Sequence, residues 1–306
     1  MFWLALAFVS ATFLGLYDVA KKRALTDNAV LPVLLLNTLF STLLFAPILI
    51  DTELGLGTFQ GTFLESESGA LRDHLLIVLK SAIVLTSWVF GYFAMKHLPI
   101  TMVGPINATR PVMVLVGAML IFGERLNLYQ WIGVGLSILS LFLMSLVGKR
   151  EGVDFRRNKW ILCIALAAVV GACSGLYDKF IMTQMNPIFV QSWYNFYQFL
   201  MMTSFVGLVW YPRRKTSPFH WSWAIPMISI LLSIADVAYL FALKQDGSMI
   251  SIVSMVRRSS VIVSFAFGAL MFREKNLRSK ALDLVLILLG MLFLYFGTRQ
   301  MSYLGL

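Results

Sequence analysis

Long apolar runs without charged residues alternate with short polar joins along the whole chain. Most of these runs have about the 17–25 residues that an α-helix needs to cross the hydrocarbon core of a bilayer. Strands of a membrane barrel would instead show strict alternation over about 10 residues, which we do not find in the sequence. The pattern therefore predicts ten transmembrane helices, over Phe2–Ala20, Val30–Ile50, His74–Met95, Thr101–Phe122, Tyr129–Val147, Trp160–Ile181, Pro187–Tyr211, Ser222–Leu243, Met249–Phe272 and Ala281–Thr298.

The composition agrees with this pattern. The hydrophobic share is 59% and the charged share is 13%, against about 45–50% and about 25% in soluble domains. We therefore expect an all-α integral protein of the plasma membrane, which in a bacterium is the inner membrane. The net charge of +10 does not predict nucleic-acid binding, because the basic residues fall in short loops between apolar runs.

The positions of the basic residues also predict an orientation. Most loop lysines and arginines fall in the odd-numbered loops, counted from the first predicted helix. The positive-inside rule places such loops in the cytoplasm. The charge pattern therefore predicts that both termini and the acidic loop Asp51–Asp73 face outward.

Landmarks of the first half recur in the same order in the second half. The basic linker Gly148–Lys159 separates five predicted helices (residues 1–147) from five more (160–306). The recurring landmarks include Gly15–Asp18 with Gly175–Asp178, Phe93–Lys96 with Phe241–Lys244, and Arg110 with Arg258. Because each half has an odd number of spans, two such copies lie inverted in the membrane. Inverted repeats are typical of transporters that bind substrate between the halves, near the midplane, and work by alternating access.

The fourth predicted helix contains Pro111, a run of small and apolar residues, and then Gly123-Glu124. With its ten spans and five-plus-five repeat, the chain resembles the drug/metabolite transporter (DMT) superfamily, and within it the ten-helix EamA-type transporters. The second half departs from the pattern, since Val261 stands where the proline would fall and Arg273 replaces the glycine. The resemblance implies a transporter whose termini are both cytoplasmic, so the orientation stays open. It does not indicate a substrate, because such proteins resemble carriers of amino acids, nucleotide sugars, choline and drugs.

Arginines within the fourth and ninth predicted helices are the first candidate site residues. Guanidinium is always charged, and its fork of donors matches carboxylate or phosphate. Arg110 and Arg258 are therefore predicted to hold an anionic group of a substrate. The alternative is a structural arginine that reaches the membrane interface or pairs with an aspartate. Arg257 lies about 100° further round the helix, and we expect Arg258 rather than Arg257 to face the cavity.

Three aspartates within predicted spans, Asp18, Asp178 and Asp236, are candidates for coupling transport to proton movement. A carboxylate inside a membrane is costly, and it is a functional candidate for that reason. The alternative for Asp18 and Asp178 is capping or an interfacial position, because both lie near the ends of spans. Asp236 lies in the middle of its span, and it would either face a cavity or pair with an arginine of the fourth or ninth helix.

Aromatic and amide side chains are predicted to line the same cavity, where they would stack on a ring or cap a cation. The alternative role is helix packing or membership of the aromatic belts at the membrane interfaces. The candidates are Asn37, Trp88, Tyr92, Asn107, Tyr239 and the polar patch Trp193-Tyr194-Asn195-Phe196-Tyr197-Gln198 of the seventh predicted helix.

Gly133 and Ser137 form a small-xxx-small pair, which permits close helix packing or a homodimer. The sequence shows no P-loop and no Ser/His/Asp set, and its three histidines are dispersed. The histidines do not resemble the ligands of a metal site. We therefore expect neither enzymatic activity nor a cofactor or bound metal.

The favoured function is secondary transport of a small polar organic metabolite, anionic or zwitterionic, across the bilayer. A proton or a counter-substrate would drive the movement, because no nucleotide-binding motif is present. The alternative is a flippase for a lipid or lipid-linked headgroup, in which the arginines would meet phosphate. A scaffold is disfavoured, since it has little reason to keep charge inside the membrane in both halves.

Overall fold

The computed structural model describes residues 2–110, 112–114, 127–150, 157–245, 248, 250–271 and 277–304. The regular secondary structure of these residues is helical throughout. A π-helical turn (Val206–Trp210) and a 3-10 turn (Tyr211–Arg213) follow the seventh α-helix. The α-helices are α1 (Phe2–Leu25), α2 (Val30–Leu54), α3 (Leu71–His97), α4 (Ile100–Ala108), α5 (Leu128–Arg150), α6 (Lys159–Met182), α7 (Pro187–Phe205), α8 (Ala224–Lys244), α9 (Ile250–Arg258), α10 (Ser260–Met271) and α11 (Leu277–Leu304).

Seven helical stretches of the described chain are long and apolar enough to cross a membrane. The expected fold class, all-α with membrane-spanning helices, is confirmed for the described residues, whereas ten spans in two inverted repeats stay a prediction. The helix α7 carries Gln191, Asn195 and Gln198, which lower its hydropathy. The seven stretches are Phe2–Leu25, Val30–Leu54, Leu71–His97, Lys159–Met182, Ala224–Lys244, Val253–Met271 and Lys280–Gly297.

Asparagine side chains fix the starts of two helices in the second half. At the start of α6, Asn158 accepts a hydrogen bond from the backbone N–H of Trp160 at 2.8 Å. At the start of α7, Asn186 accepts from the N–H groups of Ile188 and Phe189. Both side chains satisfy amides that have no acceptor within their own helix.

Four helix pairs dominate the packing: α1 with α8, α3 with α6, α2 with α7, and α5 with α11. Each pair joins a helix of the first half to a helix of the second. Serine hydroxyls cross two of these contacts, from Ser10 to the carbonyl of Ala235 at 2.7 Å and from Ser87 to the carbonyl of Ala167 at 2.8 Å. Small residues of this kind permit close approach of membrane helices. The two halves are therefore interleaved.

The fourth and ninth predicted segments are each interrupted. The helix α4 ends at Ala108, where the hydroxyl of Thr109 donates to a carbonyl of the preceding turn at 2.6 Å. The helix α9 ends at Arg258, and α10 begins at Ser260. Both interruptions adjoin a candidate arginine, Arg110 in the first half and Arg258 in the second.

Glycine allows α10 to cross α1 and α4 closely. A Cβ at Gly15 would lie 2.5 Å from the Cβ of Val263 and 2.7 Å from the carbonyl oxygen of Ser260. Cβ atoms at Gly104 and Gly268 would meet side chains of the facing helix at 2.6 Å and 2.5 Å. The position of α10 therefore depends on the absence of side chains at these points.

Gly133 lies at the contact between α5 and α11. A Cβ at this position would lie 2.7 Å from the carbonyl oxygen of Gly290 and from Cγ of Leu294. The predicted small-residue face thus includes a packing contact within the chain. The side chain of Ser137 lies outside the described part, and a homodimer stays a prediction.

Several sequence predictions fall outside the described residues. These are Pro111 and Gly123-Glu124 of the fourth segment, residues 151–156 of the linker, and Arg273 just after the ninth segment. The domain limits at 147 and 160 also remain predictions.

We expect Gly15→Ala to destabilise the protein, because the added methyl group would overlap the backbone of α10 and the side chain of Val263. Overpacking of this kind costs about 1–3 kcal/mol. Gly135→Ala is the matched control, since a Cβ there meets nothing within 4 Å in the described chain. Thermal unfolding of the detergent-purified variants measures the difference. Equal midpoints for the two variants would show that α1 and α10 do not meet this closely.

Candidate functional site

A cavity of about 140 Å³ lies in the interior of the helical bundle. Residues of α1, α3 and α4 and of α6 to α10 line it, so both halves contribute. Charged side chains inside membrane spans are costly, and they mark functional sites or structural pairs. Among the described residues, eight charged side chains line the cavity: Asp18, Lys21, Lys80, Arg110, Asp178, Asp236, Arg257 and Arg258.

Most residues that the sequence predicts for the site line this cavity. They include all three predicted proton-coupling residues and most of the predicted substrate-binding residues. Their shared location makes joint action geometrically feasible, while binding and proton coupling by them remain predictions. The residues are Asp18, Asp178 and Asp236, with Trp88, Tyr92, Asn107, Arg110, Tyr239 and Arg258.

Trp193 and Asn195 lie away from the cavity. The ring of Trp193 packs against the ring of His74, with 4.6 Å between their centroids. The residues of α7 that line the cavity are Gln191 and Tyr194. Because successive residues lie about 100° apart round a helix, Trp193 and Asn195 project from other faces of α7. The sequence pointed to this helix but not to the face that lines the cavity.

Asn37 was expected at the cavity, and the structure places it behind Tyr92. Its Nδ2 donates to the hydroxyl of Tyr92 at 3.2 Å, and its Oδ1 accepts from the hydroxyl of Ser229 at 3.0 Å. The hydroxyl of Tyr17 donates to the hydroxyl of Tyr92 at 3.4 Å. This buried hydrogen-bond chain fixes the orientation of Tyr92 in the cavity wall.

Ion pairs account for every carboxylate that lines the cavity in the described chain. For Asp236, the structure shows the structural alternative that the sequence left open, pairing with an arginine of the ninth predicted helix. The pairs are Asp18–Lys21 within α1, at 2.7 Å, Asp178–Lys80 between α6 and α3, and Asp236–Arg257 between α8 and α9.

Lys21 and Lys80 are cavity residues that sequence reasoning missed. Both are buried, with exposures of 7% and 5%. Lys80 lies inside the third predicted span, and a lysine within a span is the signal by which the sequence identifies such a residue. Its partner Asp178 is 98 positions away, so only the fold shows the pairing. Gln191 was also missed, and Arg257, which we expected to face away, lines the cavity beside Arg258.

Each paired cation lies over a tyrosine ring, within the range of about 6 Å at which a ring face attracts a cation. Tyr239 thus has a structural contact with Arg257 as well as its predicted role toward substrate. The contacts, from charged group to ring centroid, are Lys21 over Tyr17 (4.3 Å), Lys80 over Tyr194 (4.7 Å) and Arg257 over Tyr239 (4.1 Å).

Arg110 and Arg258 belong to none of these ion pairs. Nη2 of Arg110 donates to Oδ1 of Asn107 at 3.1 Å. The Nε atoms of both arginines are buried without a hydrogen-bond partner among the described residues. Gly171 leaves room for Arg110, because a Cβ there would overlap the guanidinium. Two arginines, one from each half, therefore line the cavity with no carboxylate partner from the described chain.

We expect Asp178→Asn to destabilise the protein, because it leaves the buried ammonium of Lys80 without its carboxylate. Breaking a buried ion pair from one side costs about 3–5 kcal/mol. The double variant Lys80→Met/Asp178→Asn should recover most of this loss, since it leaves no charge behind. Thermal unfolding measures both variants, with Asp27→Asn in the exposed turn after α1 as the control. A double variant no more stable than Asp178→Asn would contradict the pairing.

Comparison with known proteins identifies the family. A solved crystal structure, described only as that of a protein, is 15% identical to this chain and covers 97% of both chains with a TM-score of 0.63. At this identity the likeness shows the fold alone. No curated protein matches the chain. The model of the EamA-like transporter family matches residues 1–146 and 158–296, and the chain therefore belongs to this family, within the drug/metabolite transporter superfamily.

Proposed function

We propose that this protein is a secondary transporter that moves a small polar organic metabolite, anionic or zwitterionic, through the charged cavity by alternating access. The observation that carries the proposal is the cavity itself, which lies between the two halves and gathers charged side chains inside a membrane protein. A purely structural set of charges would be neutralised in place. Arg110 and Arg258 have no carboxylate partner from the described residues, which favours a role toward a solute.

The size of the cavity favours a small solute. Pockets for drug-sized ligands have volumes of about 300–1,000 Å³, and this cavity has a volume of about 140 Å³. Its polar lining, with charged side chains from both halves, favours a metabolite over an apolar drug. We therefore propose a metabolite carrier of the plasma membrane.

The packing of the helices supports a pseudo-twofold relation between the halves. The pairs α1–α8 and α3–α6 each join the first helix of one half to the third helix of the other. The pairs α2–α7 and α5–α11 join equivalent helices. Exchanging the halves leaves this set of pairs unchanged, and the family model also matches each half separately. These observations support repeats over residues 1–147 and 160–306, joined by the linker 148–159.

Loop contacts support an inverted arrangement of these repeats. The side chain of Asn28, between α1 and α2, bonds the backbone of His220 at 2.7 and 2.9 Å, at the end of the bundle where α8 begins. The equivalent loop between α6 and α7 is bonded at the other end of α8, where Lys244 donates to the carbonyl of Met185 at 3.2 Å. In the first half, Lys96 at the end of α3 makes the equivalent bond. It donates to the carbonyl of Asn28, in the loop between α1 and α2, at 2.7 Å. Equivalent loops at opposite ends are what inverted repeats require, and such repeats permit alternating access.

The source of energy in this proposal is a proton or a counter-substrate. Asp18, Asp178 and Asp236 remain the candidates for a proton site. Each is held by a cation in the conformation described. Coupling through any of them would therefore require its ion pair to open during the cycle. The family match does not favour the alternative of a lipid flippase.

Reconstitution into sealed liposomes tests the proposal. We load the vesicles with a mixture of organic acids, amino acids and sugars, and identify released solutes by mass spectrometry. At least one solute should leave vesicles that contain the protein faster than it leaves protein-free vesicles. Arg258→Gln should slow this release roughly tenfold to a hundredfold, because a hydrogen bond to a charged group contributes about 1.5–3 kcal/mol.

Arg214→Gln is the matched control for this experiment. Arg214 is an exposed arginine that lies over the ring of Tyr211 at 4.1 Å, outside the cavity. Its replacement should leave the rate of release unchanged. Release of no solute by the folded wild-type protein, or equal loss of release in both variants, would count against transport through this cavity.

A further inference from the structure

The charges that line the cavity do not balance. Among the described residues, five lining side chains are cationic and three are anionic. The ion pairs neutralise all three carboxylates with Lys21, Lys80 and Arg257. Two positive charges remain, on Arg110 and Arg258.

These two charges are close enough to influence each other. Arg110 repels Arg258, and Asp18 attracts both of them. Asp18 is already bonded to Lys21 at 2.7 Å. The group of Lys21, Arg110, Arg258 and Asp18 therefore holds three cations and one carboxylate. Its excess of two positive charges equals that of the whole cavity lining.

Arg110 and Arg258 cannot shed their own charges by loss of protons, because guanidinium stays protonated in proteins. Each arginine also has a buried Nε that lacks a hydrogen-bond partner in the described chain. An uncompensated charge within the membrane is unfavourable. Arg110 and Arg258 therefore favour a ligand that brings both acceptor oxygens and negative charge.

The net positive charge of the cavity lining distinguishes between classes of solute. A zwitterion adds no net charge, so both positive charges would remain in the cavity. A monoanion would leave one positive charge. A solute with two negative charges would neutralise the site and offer oxygens to both guanidinium groups, which bind both carboxylate and phosphate in a forked geometry.

Building on the proposed function, we infer that the transported solute is a dianion, either a dicarboxylate or a phosphate monoester, whose negative oxygens bind Arg110 and Arg258. The two chemistries share the charge that the cavity requires. Arg110 comes from the first half and Arg258 from the second, so a bound dianion bridges the halves. Such a bridge would couple binding to the relative position of the halves.

The test compares dianions with monoanions of the same shape. We measure thermal unfolding of the purified protein at pH 8 with succinate against monomethyl succinate, and with methyl phosphate against methyl sulfate. At least one dianion should stabilise the protein at a concentration about tenfold or more below that of its monoanionic match. The first pair reports on dicarboxylates and the second on phosphate monoesters, so the result also distinguishes these two sources of charge.

Variants assign the preference to the two arginines. Arg110→Gln and Arg258→Gln each remove one positive charge, and each should lower the ratio of dianion to monoanion affinity by about tenfold or more. Arg110→Lys and Arg258→Lys keep the charge and should retain the preference with weaker binding, which also covers the case in which a glutamine variant does not fold. Arg214→Gln should behave as the wild type.

Stabilisation by mono- and dianions at equal concentrations, or by neither, would overturn the inference of a dianion. A ratio of dianion to monoanion affinity that is unchanged in Arg258→Gln and in Arg110→Gln would also overturn it. The liposome experiment judges the proposed function separately. Release of a zwitterion or a neutral solute that depends on the cavity would support transport and contradict the dianion. Release of no solute would contradict transport itself.

Discussion

A charge inside a membrane is costly unless it is neutralised, and this cost organises the interior of the protein. Three carboxylates each meet a cation, and each of these cations also lies over a tyrosine ring. One pair, Lys80–Asp178, joins the two halves of the chain. Breaking such a pair from one side costs more than its formation gains relative to apolar packing. The pairs are therefore better understood as specifying how the helices fit than as the source of their stability.

The interruptions of the fourth and ninth segments lie beside the two arginines that have no carboxylate partner in the described chain. A helix terminus carries partial charge, negative at its C-terminal end. The helix α9 has both Arg257 and Arg258 in its last turn, where its own carbonyl groups favour cations. Arg110 lies just beyond the end of α4, beside Asn107. Both arginines thus lie at breaks between helical segments inside the bundle.

The sequence predicted the helical class and five of the eight charged residues that line the cavity in the described chain, because both leave local signals. Apolar runs identify spans, and charges within spans identify the polar interior. The partners of those charges leave no such signal. Asp178 and Lys80 are 98 positions apart, and nothing near either residue predicts the other. No local signal identifies the face of α7 that lines the cavity either. Gln191 and Tyr194 on that face are no more polar than the neighbouring Asn195, which projects from another face.

The ion pairs also respond differently to the motion that we propose. Asp18 and Asp178 each end a copy of the recurring sequence Gly-Leu-Tyr-Asp, but Asp18 pairs within its own helix and Asp178 pairs across the halves. Rocking of one half against the other leaves the distance between Asp18 and Lys21 unchanged, because both lie on α1. The same motion changes the distance between Asp178 and Lys80, which lie on α6 and α3. In the alternating-access cycle that we propose, the pair that crosses the halves would therefore have to adjust, whereas the pair within α1 would not.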